Sequence, residues 1–82
     1  MYPLLGAPAI YRITIQGRLD SSWSNSFEGM VISNEVAADG TPLSVLTGRL
    51  VDQAALLGIL NGLYGLGFPL LSVERLEINS AT

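Results

Sequence analysis

The chain has no cysteine, no histidine and no lysine. Without cysteine there is no disulfide framework, no thiolate zinc site and no thiol nucleophile. Without histidine, triad-type base chemistry and the commonest metal ligation are both excluded. The four positive charges are all arginine, scattered along a chain of net charge −3. Phosphate neutralisation needs a clustered cationic face, so nucleic acid is not an expected partner. Charge as a whole is scarce, at 13% of residues against 49% hydrophobic. That balance is apolar enough to fold, and it speaks against disorder.

With 82 residues there is room for one domain and one core. Met1–Ile10 lacks a positive n-region, and Pro3 and Pro8 interrupt its apolar run. No secretory signal is therefore expected, and a cytoplasmic location is the default reading. Residues 1–9 read as an N-terminal arm, 10–78 as a single domain and 79–82 as a tail.

From Tyr11 onward the pattern is period two. Tyr11, Ile13, Ile15, Gly17 and Leu19 alternate with Arg12, Thr14, Gln16 and Arg18, predicting a strand with one dry and one wet face. Residues 20–26 form a polar stretch around Trp23 and read as a loop. Phe27–Val36 is predicted as a second strand with Met30 and Ile32 toward the core, and Gly29 is a candidate bulge. Ala38-Asp39-Gly40 supplies a turn. Leu43–Leu50 is a third strand, apolar on both faces and so ambiguous in register.

Asp52 is a candidate N-cap, because its carboxylate can accept from a free amide of the first helical turn. A helix then runs from Gln53 to about Leu66, with Leu56, Ile59, Leu60, Leu63 and Leu66 as its apolar stripe. Gly67 is placed to end it and Pro69 prevents its resumption. Leu70–Ile78 is the last strand.

The expected architecture is a single α+β domain of order β-β-β-α-β. Its four-stranded, mostly antiparallel sheet has one helix packed on one face. Two hairpins would make the first three strands antiparallel. The last strand is expected to run parallel to the first and third and is placed beside the first, in the spatial order 4-1-2-3, while a place beside the third also satisfies the rules.

Three stretches together carry a resemblance: Trp23-Ser24-Asn25-Ser26-Phe27-Glu28-Gly29-Met30, Leu46-Thr47-Gly48, and Val51-Asp52-Gln53-Ala54-Ala55-Leu56-Leu57-Gly58 followed by Gly67-Phe68-Pro69-Leu70-Leu71-Ser72-Val73. They resemble a group of small bacterial hypothetical proteins with a Trp–Phe–Gly loop motif and an Asp-Gln-Ala-Ala-Leu helix start. The likeness runs from about Tyr11 to Leu76 and implies domain boundaries but no activity. Members of that group often carry histidine where Leu57 stands, and charged residues on the outer helix where this chain has Asn61, Gly62, Tyr64 and Gly65.

That outer face is the least ordinary feature. On a helical wheel Ala54, Gly58, Asn61, Gly62 and Gly65 fall opposite the apolar stripe, where Lys, Glu or Arg would be usual. Three helical glycines cost about 3 kcal/mol relative to alanine. Small residues allow close approach of another backbone, so this face is the candidate interface, weighed against drift on a tolerant surface. The uncharged run from Gln53 to Val73 raises a membrane span. Its glycines, Asn61 and the Gly67-Phe68-Pro69 break leave it short of the ~20 residues a span needs.

The aromatics Tyr11, Trp23, Phe27 and Tyr64 are candidate ligand-binding residues, or a lid folded over the core. The carboxylates offer no pair spaced for acid–base work, and Gly62-Leu63-Tyr64-Gly65-Leu66-Gly67 follows a helix interior instead of a strand, unlike a nucleotide loop. The expectation is a non-enzymatic interaction or regulatory module without cofactor or metal, self-associating as a homodimer or binding another protein. The alternative is an apolar-ligand domain with a pocket between helix and sheet or at a dimer seam.

Overall fold

The computed structural model describes residues 8–76. Four strands form one sheet: β1 (Ala9–Gln16), β2 (Val31–Val36), β3 (Pro42–Leu50) and β4 (Leu70–Leu76). A 3-10 segment (Ser21–Phe27) lies between β1 and β2, and one α-helix, α1 (Gln53–Gly65), lies between β3 and β4. The sheet order is β2-β3-β1-β4, with every neighbouring pair antiparallel.

The α+β class holds, and β4 stands beside β1 as expected, but two parts of the expected topology are corrected. The first two strands are not a hairpin: β1 pairs with β3, so β2 and β3 exchange places. As a consequence β4 runs antiparallel to β1 and shares its direction with β3. The reason lies in the stretch read as a loop. Gly17 adopts φ 116° and turns the chain out of β1, while Leu19 beyond it stays buried. Asp20 then caps the 3-10 segment by accepting from the Ser22 amide at 2.8 Å. That segment ends by burying Phe27, which was expected within β2. It carries the chain past β3, so β2 enters on the far side. Gly29 is not a bulge but the φ 73° residue of the turn that follows. The sheet irregularity falls instead where β1 Thr14/Ile15 meets the start of β4.

The β2–β3 turn forms where expected, with Gly40 at φ 90° and Asp39 accepting from the Thr41 amide at 3.0 Å. Asp52 caps α1, its Oδ1 accepting from the Ala55 amide at 2.9 Å. Gly67 ends it at φ 89°. The Phe68 amide donates to Leu63 O (3.1 Å) and the Gly67 amide to Tyr64 O (2.9 Å), the paired bonds of a Schellman motif.

One face of the sheet carries the core. Tyr11, Ile13 and Ile15 of β1 and Leu46 and Leu50 of β3 pack under Leu56, Ile59 and Leu63 of α1, with Leu19, Phe27 and Met30 closing one side. The register settles what alternation in β3 left open: Ile13 stands opposite Leu46 and Ile15 opposite Ser44. Ser44, Leu46, Gly48 and Leu50 therefore face the helix. The other sheet face is open and mixed, with Arg12 and Glu74 paired across it at 2.9 Å. No helix among the described residues is long and apolar enough to cross a membrane.

Candidate interaction surface

The five residues expected on the outer face of α1 do not stay together. Ala54, Gly58, Asn61 and Gly65 are exposed, and a Cβ built on Gly58 or Gly65 would meet nothing within 4 Å. Gly62 differs. A Cβ there would lie 2.8 Å from Phe27 Cε1, so this glycine is where the 3-10 segment closes against the helix. It belongs to the packing, and its placement on the outward face is corrected. At 100° per residue Gly62 falls near Ala55 and Leu66, at the margin of the stripe and not opposite it, and the 3-10 segment reaches that margin.

The four aromatics are likewise separated. Tyr11 and Phe27 are core residues, 4% and 5% exposed. Trp23 is 40% exposed and rests on Phe27 with ring centroids 6.1 Å apart, a tilted contact within the range of favourable aromatic pairs. Tyr64 is 84% exposed and projects from the helix flank away from Gly62. Phe27 belongs to the core and Trp23 rests against it, and the four do not line one site.

The two flanks of α1 are thus unlike. On the Gly62 side the 3-10 segment and β2 complete the layer. The helix lies over β3, and on its other side the helix-facing surface of β4 keeps apolar side chains in solvent. Val73 stands opposite Ile13, and Leu70 opposite Ile15, which puts both on the core face of the sheet. Yet they are 39% and 50% exposed, and Leu71 of β4 and Leu57 and Tyr64 of α1 are exposed as well. No charged residue interrupts the chain from Gln53 to Val73. Among the described residues β4 is also an edge, paired on one side only.

Chemistry is sparse elsewhere. Asp20 and Asp39 both sit below the ordinary carboxylate value because each accepts hydrogen bonds, Asp20 from Ser22 and Asp39 from Thr41. Glu74 raises the Arg12 guanidinium, first by their hydrogen bond and then by its charge. Among the described residues no three acidic, His or Cys side chains gather as a metal site would need. Residues 1–7 of the expected arm, the end of the expected last strand at Ile78 and the tail 79–82 lie outside the described residues.

Sequence reasoning missed one buried polar unit. Ser44 is fully buried; its hydroxyl donates to Gly17 O at 2.7 Å and accepts from the Leu19 amide (2.9 Å) and Asn34 Nδ2 (2.8 Å). One donor and two acceptors is the whole capacity of a hydroxyl, so the unit is structural: it holds the chain where it leaves β1. Its trace in the sequence is phase, since Ser44 falls in step with Leu46 and Asn34 in step with Ile32.

No curated protein and no solved structure matches the chain. A family model does match, over residues 10–74, and the chain belongs to that family, described as a domain of unknown function (DUF8691).

Proposed function

We propose that this member of the family is a small non-enzymatic interaction module that self-associates through the apolar flank formed by α1 and β4. The observation behind the reading is that flank: large apolar side chains left in solvent beside an edge strand, while the opposite flank of the same helix is closed. Exposed apolar area of this extent, bordered by polar surface, marks an interaction site more often than chance in a monomer. The outward side of α1, with Gly58, Asn61 and Gly65, adjoins the flank and leaves it unobstructed. An apolar-ligand pocket draws no support from the aromatics, which are split between core, lid and surface.

Light scattering at micromolar concentration tests the proposal. A dimer mass that falls to the monomer mass on combining Tyr64→Glu with Leu57→Lys, with the circular dichroism unchanged, is expected. A wild-type protein that stays monomeric throughout the micromolar range ends it.

A further inference from the structure

We infer that two copies join by antiparallel packing of their α1 helices, outer face to outer face, about a two-fold axis at Asn61. The inference rests on the self-association proposed above and specifies which residues carry it.

A helix laid on a sheet needs one apolar stripe, and its other side ordinarily carries charge. The inner stripe of α1 is complete in Leu56, Ile59 and Leu63, all buried. Yet none of its 13 residues, on any side, is acidic or basic. A helix apolar all round has the composition of one that is covered all round. Among the described residues α1 is covered only on its sheet side and at the Gly62 margin. The exposed residues are also ordered. Ala54, Leu57 and Gly58 recur seven positions on as Asn61, Tyr64 and Gly65, and all six are exposed. That is the spacing of a seam at which one helix packs on another. Leu57 and Tyr64 occupy equivalent positions in it, and a glycine follows each.

The seam is its own complement when it runs antiparallel, and this is what makes the occupant a second copy. With the axis at Asn61, Leu57 lies level with Gly65 of the second copy, and Tyr64 lies level with its Gly58. Each large side chain then stands level with a residue that has none. Nothing of the single chain approaches a Cβ built on Gly58 or Gly65, so both notches are open, and small residues let helix backbones come close. Asn61 meets its own copy at the axis. An amide both donates and accepts, so the two satisfy each other, and a lone Asn in a helix seam fixes register in this way. A parallel pair would instead set Leu57 on Leu57 and Tyr64 on Tyr64, leaving the glycines facing each other. The six residues expose on the order of 500 Å² per copy, about 1,000 Å² for the pair, which is the lower bound for a specific interface. The dimer is therefore small and reversible, and the charged residues of β4 take no part in it.

The absence of native cysteine makes single-cysteine crosslinking unambiguous. At the axis the two copies of residue 61 face each other within disulfide range. The two copies of residue 58 stand about 9 Å apart along the helix, beyond that range. Under mild oxidation, Asn61→Cys is expected to yield disulfide-linked dimer about tenfold above Gly58→Cys and above Val73→Cys on β4. Filling a notch gives a second reading: Gly58→Leu meets open space in the single chain and should weaken association about tenfold, with the circular dichroism unchanged. A light-scattering dimer in which Gly58→Cys crosslinks as readily as Asn61→Cys overturns the antiparallel register and leaves the interaction module standing. A dimer in which Asn61→Cys fails to crosslink, or that tolerates Gly58→Leu, does the same. A monomer overturns both.

Discussion

The two flanks of α1 share a helix and a sheet and differ in what lies beyond. On one side Gly62 admits the Phe27 ring to within 2.8 Å of where a Cβ would stand, and the 3-10 segment seals the layer. On the other, Leu57 and Tyr64 of α1 and Leu70 and Val73 of β4 remain exposed among the described residues. Small residues therefore mean opposite things on one helix: Gly62 is small because something is close, and Gly58 meets nothing within its own chain. Sequence spacing treats them alike; only the neighbour distinguishes them.

The comparison can be broken most sharply at Phe27. Phe27→Ala removes the ring that fills the closed flank and should cost about 3–4 kcal/mol by urea denaturation; a loss below about 1 kcal/mol would mean that the flank is not packed. Ser44→Ala follows, at about 1–3 kcal/mol, because the Leu19 amide, the Gly17 carbonyl and Asn34 lose their shared partner. Alanine at the two glycines should then give effects of opposite sign. Gly62→Ala must displace a buried ring and is expected to destabilise by about 1–2 kcal/mol. Gly58→Ala meets open space and should stabilise by up to about 1 kcal/mol through helix propensity. Equal signs would erase the distinction between the flanks.

The smallest effect concerns acid. Asp20 and Asp39 have carboxyls below their ordinary value in the folded chain because they accept hydrogen bonds. Their contribution is fully present above the unfolded carboxylate value, about 3.9, and is lost as pH falls through the lower folded one. Melting temperature should therefore decline on that acid limb. Asp20→Ala, which leaves α1 and β4 untouched, should flatten the decline without altering association.

Much of the fold was legible because local rules left few alternatives. Alternation from Tyr11 to Ile15 could bury only one face, and all three dry-face residues are buried. Asp52 and Gly67 mark the helix because a free amide needs an acceptor and a left-handed residue tolerates little but glycine. The strand exchange was not legible. A polar run of Ser and Asn permits a loop or a capped 3-10 turn equally well, and Asp20 decides between them through a bond visible only when Ser22 is in place. Trp23 and Phe27 were read as lid or ligand residues, and the close approach to Gly62 makes Phe27 part of the core.

What the sequence determined by itself is the inventory: one small α+β domain, its element types and caps, and the exclusion of thiol and imidazole chemistry by residues it does not contain. These follow from periodicity and composition, which act within a dozen residues. The tertiary structure alone decided that β3 lies between β1 and β2, that Ser44 is a satisfied hub, and that one helix flank is closed while the other is open. Those outcomes depend on which distant segment arrives at a given surface. Phe27 reaching Gly62 across thirty-five positions of chain is not encoded in the spacing of either segment.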